Sequence, residues 1–281
     1  MEKIFQVFMN GLSTGAIYSL MALSFVLIFK STGILNFAQG ELAMVGAFLC
    51  YTFAMLFHLP YVIAFGLALV LGAVLGGLID LLFFRKMVGE PIFATIMVTV
   101  GLASILTSTA GLIWGHDVFS IRSPFTDRTA RIGEMIFSQG ALWTIGISIG
   151  LFLLFTAFFN RSLLGVAMRG TAEDPDAAGL MGINVKRIHM MAWAIGTLVA
   201  AIAGIFLAEQ SFVRISMSHT GIKAMAAAIL GGMESIRGAI LGGAIIGIVE
   251  GFAANYLSGI MIIVLMIRPR GIFGKEKVER V

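Results

Sequence analysis

Few residues in this chain can do chemistry, and they come in groups. Asn36, Gln39, Gly40 and Glu41 place two amides, a glycine and a carboxylate within about two helical turns of otherwise apolar sequence. Asn36-Phe-Ala-Gln39 has the spacing of a capping box, with Asn36 as the cap and Gln39 reaching back. Glu41 then falls near the positive end of a helix. The group predicts a helix that breaks inside an apolar region. Such a break either serves only to cap the chain or lines a path for a polar solute, as discontinuous helices do in transporters. Gly40 would keep that surface open.

A second group is the polar island from Arg169 to Arg187. Asp174 followed by Pro175 is a helix start, a capping side chain and then proline at the first helical position. Asp176 falls in the first turn, where the helix dipole favours a negative charge. Gly182 is placed to stop the helix. The predicted helix, Pro175–Met181, is only about 10 Å long and cannot stand alone. It must be tethered on both sides and pressed against something, so it reads as a peg presented to a soluble partner.

A third group is the series Gly231, Gly232, Gly238, Gly242 and Gly243, continued by Gly247. Glycines at this spacing make a smooth helix face for tight packing in a membrane; a hinge or a path lining is the alternative. The remaining ionisable residues are scattered. Asp80 is expected to snorkel toward Arg85 or pair with it. Glu209 and Gln210 mark the outer end of a span, facing water or a partner protein. Glu250 could pair with Arg237 or with a second subunit. His58, His116, His189 and His219 show no metal-ligand spacing. The single cysteine, Cys50, can make no intrachain disulfide and reads as a small packing residue.

The elements that must position these groups are membrane helices. Only 12% of the 281 residues are charged, 59% are hydrophobic and mean hydropathy is +0.99. A soluble domain carries about twice that share of charge. The net charge of +4 is spread over short loops and a basic tail. It therefore reports orientation and not affinity for nucleic acid. The N-terminus lacks a convincing cleavage site, so its apolar stretch reads as a retained first span.

The apolar segments are Met9–Phe29, Glu41–His58, Tyr61–Phe84, Ile92–Trp114, Gly140–Phe159 and His189–Ala208. Shorter stretches follow at Gly221–Met233, Gly238–Leu257 and Ile260–Ile267. The last is too short to cross a hydrocarbon core of about 30 Å. It is either a buried half-helix or a sign of residues missing near Ser258-Gly259. The longer loop, about His116–Gln139, is expected to hold a short surface helix. Basic residues gather on the side of Lys30, Arg85, Lys86, the 160–189 segment and the tail, which places that side in the cytoplasm. The fold class is an all-α polytopic membrane protein. It has about eight to nine transmembrane or partial transmembrane helices in one domain, residues 1–281, with a cytoplasmic segment at about 160–188.

Four stretches carry a family resemblance. Asp176-Ala177-Ala178, three further residues and then Gly182 fit the acidic-Ala-Ala-x-x-x-Gly pattern of ABC importer permeases. Ser31-Thr-Gly-Ile-Leu-Asn-Phe-Ala-Gln-Gly-Glu41 looks like the N-terminal signature of branched-chain amino acid ABC permeases. Leu230-Gly-Gly-Met-Glu-Ser-Ile-Arg-Gly-Ala239 resembles their Gly-rich segment, and Arg268-Pro-Arg-Gly-Ile-Phe-Gly274 their terminal motif. The chain is similar to the smaller (LivH-type) of their two permease subunits. Glu234-Ser-Ile-Arg237 departs from the family, where glycine and proline are common.

The resemblance implies that Glu173, Asp174, Pro175, Asp176, Ala177, Ala178, Met181 and Gly182 form a coupling helix seated in a groove of an ATPase subunit. It implies a second permease subunit, two cytoplasmic ATPases and a periplasmic or lipid-anchored substrate-binding protein, in a bacterial or archaeal inner membrane. Consistent with that division of labour, the chain has no G-x-x-x-x-G-K-[ST] phosphate loop. No cofactor is expected beyond ATP held by the partners, and the chain is expected not to be an enzyme. The expected cargo is a branched-chain amino acid; urea, amides and other amino acids are the alternatives within the family. A stand-alone secondary transporter or channel is a competing class. It would need ion-coupling carboxylates, for which Glu41, Asp80 and Glu250 are available, or a symmetric repeat, which is not evident.

Overall fold

The computed structural model describes residues 2–87, 89–121, 123–124, 129–132 and 135–257. The stretch Ile260–Ile267, the Ser258-Gly259 junction and the terminal motif from Arg268 lie outside the described residues. Ten α-helices occur among them: α1 (Glu2–Thr32), α2 (Gln39–Tyr51), α3 (Tyr61–Leu82), α4 (Ile92–Trp114), α5 (Gln139–Arg161), α6 (Leu163–Glu173), α7 (Pro175–Leu180), α8 (Val185–Gln210), α9 (Thr220–Gly231) and α10 (Ile236–Phe252). Helices α2 and α10 each run on into a π-helical turn, Thr52–Leu56 and Ala253–Leu257. Among the described residues seven stretches are long and apolar enough to cross a membrane. The chain is an all-α polytopic membrane protein. The 12-residue α9 is too short to be one of the seven.

The expected segments up to Leu257 reappear as helices, with bounds shifted by up to seven residues. Ile92–Trp114 is a helix with those bounds, and Gly238–Leu257 corresponds to α10 and its π turn. The loop before α5 holds no surface helix among its described residues. Instead β1 (Thr129–Ile132) and β2 (Met135–Ser138) form a short antiparallel ribbon, Thr129 opposite Ser138. Thr, Ile and Phe in this stretch favour a pleated backbone over a helix. A second bridge joins Phe119 to Val213, pinning this loop to the one after α8.

Helices α1 and α8 form the centre: 83% and 67% of their apolar windows are buried, against 22–28% for the spans of α3, α4, α5 and α10. The outer helices turn Val62, Phe93, Leu112, Leu153 and Leu241 outward, as a lipid-facing surface requires. Small residues let the inner helices touch. Gly11 and Gly15 of α1 lie against Gly243, Ala244 and Gly247 of α10, and Gly46 of α2 lies against Ala201 of α8. Close backbone approach of this kind drives helix association where lipid removes the hydrophobic contrast.

Candidate functional site

Helix α1 does not pass directly into α2. A link, residues 33–38, runs back along the bundle, and α2 begins inside it. Two bonds fix that depth. Gln39 Nε2 donates to Ser24 Oγ at 2.7 Å and to the Gly196 carbonyl at 3.4 Å. Ser24 lies roughly two turns before the end of α1, and Gly196 about three turns into α8. Asn36 Nδ2 donates to Gln39 Oε1 at 2.6 Å, and Asn36 Oδ1 accepts from Ala38 N at 3.0 Å. Asn36 and Gln39 are both essentially inaccessible to solvent.

This geometry corrects two expectations. Ala38 takes the cap position of α2 without a side-chain cap bond, so Asn36 and Gln39 are not a capping box. They pair side chain to side chain because Gln39 has distant partners in α1 and α8 that no local motif reveals. Nor do all four residues of the group face open space. Asn36 and Gln39 form a buried clasp, and Gly40 is a contact point: a methyl there would stand 2.0 Å from the Ser218 carbonyl. Glu41 borders a cleft.

That cleft, about 210 Å³, lies between Phe37 and Glu41 of the α2 start, Val100 and Ala103 of α4, and Ser218, His219, Gly221 and Ile222. The Ser218 hydroxyl sits beside the Glu41 carboxylate. The last four belong to a second helix that starts inside the bundle. After α8 the chain passes through a 3₁₀ turn, Ile215–His219, directly into the 12-residue α9. Gly221 is packed on Gly40. The start of α2 thus meets the junction of the 3₁₀ turn with α9, where the Thr220 N–H already donates to the Met217 carbonyl. The α2 start, with its partial positive charge, suits an anionic group, and Glu41 beside it suits a cationic one. Ser218, His219 and Gly221 were not singled out from sequence. The available signal was the brevity of Gly221–Met233, too short for a span and so a half-helix.

At the basic end stands the peg. Asp174 Oδ1 accepts from Asp176 N and Ala177 N at 3.0 and 2.9 Å, with Pro175 at the first helical position. The helix closes with two reversed bonds, Ile183 N to the Ala178 carbonyl and Gly182 N to the Gly179 carbonyl, both 3.0 Å. This is a Schellman ending, and Gly182 sits at φ +85°, where a side chain is strained. Ala178 is buried, while Glu173, Asp174, Pro175, Asp176 and Ala177 are exposed. Leu180 and Met181 are 89% and 83% exposed, a bare apolar tip. Tethers hold the peg. Ser162 caps α6, Arg169 Nη1 grips the Phe159 carbonyl at 2.6 Å, and Asn184 caps α8. Pro175 shares a small cleft with residues 32–35, the start of the link that leads to Gln39.

The family described as "Branched-chain amino acid transport system / permease component" matches residues 7–268. The chain belongs to this family. It is 31% identical to the high-affinity branched-chain amino acid transport system permease protein BraD of Pseudomonas aeruginosa, over 98% of this chain and 97% of that one. It is 29% identical to LivH of Escherichia coli over the same shares. It is 30% identical to a probable LivH of Methanocaldococcus jannaschii, over 92% and 88%. No solved structure matches.

The remaining residues of the permease fall into place around these two features. Gly231 and Gly238 face each other where α9 turns into α10; a methyl on either would lie 1.9 or 1.7 Å from the other's carbonyl oxygen. Gly242 lies on Ala227 of α9 and Gly243 on Ser19 of α1. Gly232, at φ +94°, makes the turn itself. Asp80 neither snorkels nor pairs with Arg85. It is fully buried, and neither carboxylate oxygen has a hydrogen-bond partner among the described residues. One turn before it on α3, Gly76 packs on Trp193 of α8, and four residues after it, in the 3₁₀ turn Phe84–Lys86, Phe84 stacks on the same residue, so the carboxylate lies beside that seam. Glu209 bonds to the Tyr61 hydroxyl, and Gln210 donates to Ser13 at 2.6 Å, so both tie spans together. Glu250 pairs with Lys223 and not with Arg237. Among the described residues no cluster of His, Cys, Asp or Glu could hold a metal.

Proposed function

We propose that this chain is a transmembrane subunit of an ABC importer for branched-chain amino acids, moving cargo inward with energy from separate ATPase subunits. The peg is the coupling element. The observation that carries this reading is its construction: capped at both ends, tethered through α6 and α8, yet bare at Leu180 and Met181. An apolar tip of this kind is stable in water only when a partner covers it. Asp174 and Asp176 on one side and Lys186 and Arg187 on the other give the partner's groove a charge pattern to match. The chain forms a single domain, with residues 160–188 below an inner membrane and its N-terminus outside.

The shared cleft of Pro175 and residues 32–35 supports a route inward: a push on α7 passes to that link, which leads to the Asn36–Gln39 clasp and the start of α2. Moving α2 against α9 opens or closes the cleft at Glu41. Glu41 and the start of α2 offer a zwitterion one anionic and one cationic partner, and Phe37, Val100 and Ile222 offer an apolar side chain its surroundings. The second permease subunit completes the path, and a substrate-binding protein outside delivers the cargo. The family resemblance and the relatives' names support the amino-acid cargo over urea or amides.

Replacing the bare tip, Leu180→Asp with Met181→Asp, tests the coupling role. The variant is expected to insert normally and to lose co-purification with the ATPase subunits. Retained ATPase binding and unchanged uptake would sink it.

A further inference from the structure

One charged pair lies beside the middle of α1, partly exposed, and is unused by the reading above. Lys223, in the first turns of α9, pairs with Glu250 of α10. The Tyr18 hydroxyl donates to the other Glu250 oxygen at 2.7 Å. Tyr18 is near the middle of the 31-residue α1, which places this trio far from both ends of the bundle. A charge at that depth facing hydrocarbon is costly, so an intramembrane pair ordinarily turns inward and is covered. Among the described residues this pair is only partly covered, its two side chains remaining 52% and 38% exposed. Lys223 follows Ile222 and stands one turn along α9 from His219, two residues that border the Glu41 cleft.

We infer that Lys223 and Glu250 form a binding station for the charged head of a zwitterionic α-amino acid on its way through the permease. The inference rests on the transport reading and names two residues that discriminate for its cargo. The pair is neutral as a whole, and so is a zwitterion. As the solute arrives, its carboxylate takes Lys223 and its ammonium takes Glu250, and each partner exchanges one opposite charge for another. No net charge enters the low-dielectric region at any point. Tyr18 keeps Glu250 in place through the exchange. A neutral amide or urea carries no charges to trade and cannot separate the pair. The station therefore favours amino acids over the uncharged cargoes that relatives of this fold could carry.

The test uses the complete transporter in proteoliposomes with its binding protein, ATP and labelled L-leucine. Glu250→Gln and Lys223→Met are each expected to lower leucine moved per ATP hydrolysed at least tenfold in complexes that still assemble. The reversed pair, Lys223→Glu with Glu250→Lys, preserves the α9–α10 clamp while exchanging the charges, and is expected to stay at least tenfold down. Full uptake by the reversed pair, uptake by both single variants equal to the unaltered complex, or loss of assembly in all three would overturn the inference, leaving the pair a packing device. If the unaltered complex moves no leucine, the transport reading itself falls, and this inference with it.

Discussion

Gln39 shows how much one side chain can decide in a bundle of apolar helices. Its amide ties the start of α2 to α1 and α8 and also satisfies Asn36. Gln39→Leu removes those bonds and leaves the buried Asn36 amide and Ser24 short of partners. The expected cost is about 1–3 kcal/mol, seen as a lower unfolding temperature in detergent. Asp80 predicts the opposite sign. Its carboxylate is buried without a partner, and a neutral side chain of similar size relieves that penalty. Asp80→Asn is expected to raise the unfolding temperature or leave it unchanged; a marked fall would mean that an ionised Asp80 is held by something these contacts do not include. Neither role was legible in the sequence. Asn36 and Gln39 stood out as polar residues in apolar surroundings, but their partners are far away along the chain. Asp80 has Arg85 close along the chain, but among the described residues no hydrogen bond or ion pair joins them, and nothing local in the sequence announces a carboxylate buried without a partner.

At the scale of elements, the peg was the most legible part of the molecule, because its signals are local. Asp174, Pro175 and Gly182 each act within a few residues, and the cap, the first turn and the stop fall where those residue types require. Removing the cap with Asp174→Ala is expected to cost about 0.5–2 kcal/mol of local helix stability. Gly182→Ala, at a positive φ, is expected to cost about 1–2 kcal/mol. Both should appear as weaker ATPase binding, measured by titrating the ATPase subunit onto the permease, with little change in overall unfolding temperature. The α9–α10 hairpin is built by contact instead. Gly238→Val places a branched side chain where the Gly231 carbonyl lies. Overpacking of about 1–3 kcal/mol follows, read as a lower unfolding temperature than that of Gly179→Val, where a methyl meets open space. The glycine spacing announced tight packing but not its partner. The packing of Gly40 on Gly221 was half visible: the break at Asn36–Glu41 is plain in the sequence, while the 3₁₀ junction at Ser218–Gly221 is hidden before a short apolar stretch.

Across the whole molecule, the two features lie at different depths and one segment of chain joins them. Pro175 and residues 32–35 line one cleft; those residues lead to Gln39; Gly40 packs on Gly221. Under the proposed function, that series is the route by which a motor below the membrane would reach the cleft at Glu41. The all-helical membrane fold was evident from composition and apolar segment length, since hydrocarbon leaves a chain few other ways to satisfy its backbone. The way the spans pack was not, because lipid-facing and buried helices are equally apolar here.

The most direct measurement is uptake of labelled leucine into proteoliposomes holding either this chain alone or the full set of permease, ATPase and binding-protein subunits, with and without hydrolysable ATP. Uptake is expected only in the full set and only with ATP. Leucine moved by the isolated chain without nucleotide would contradict the account at its root.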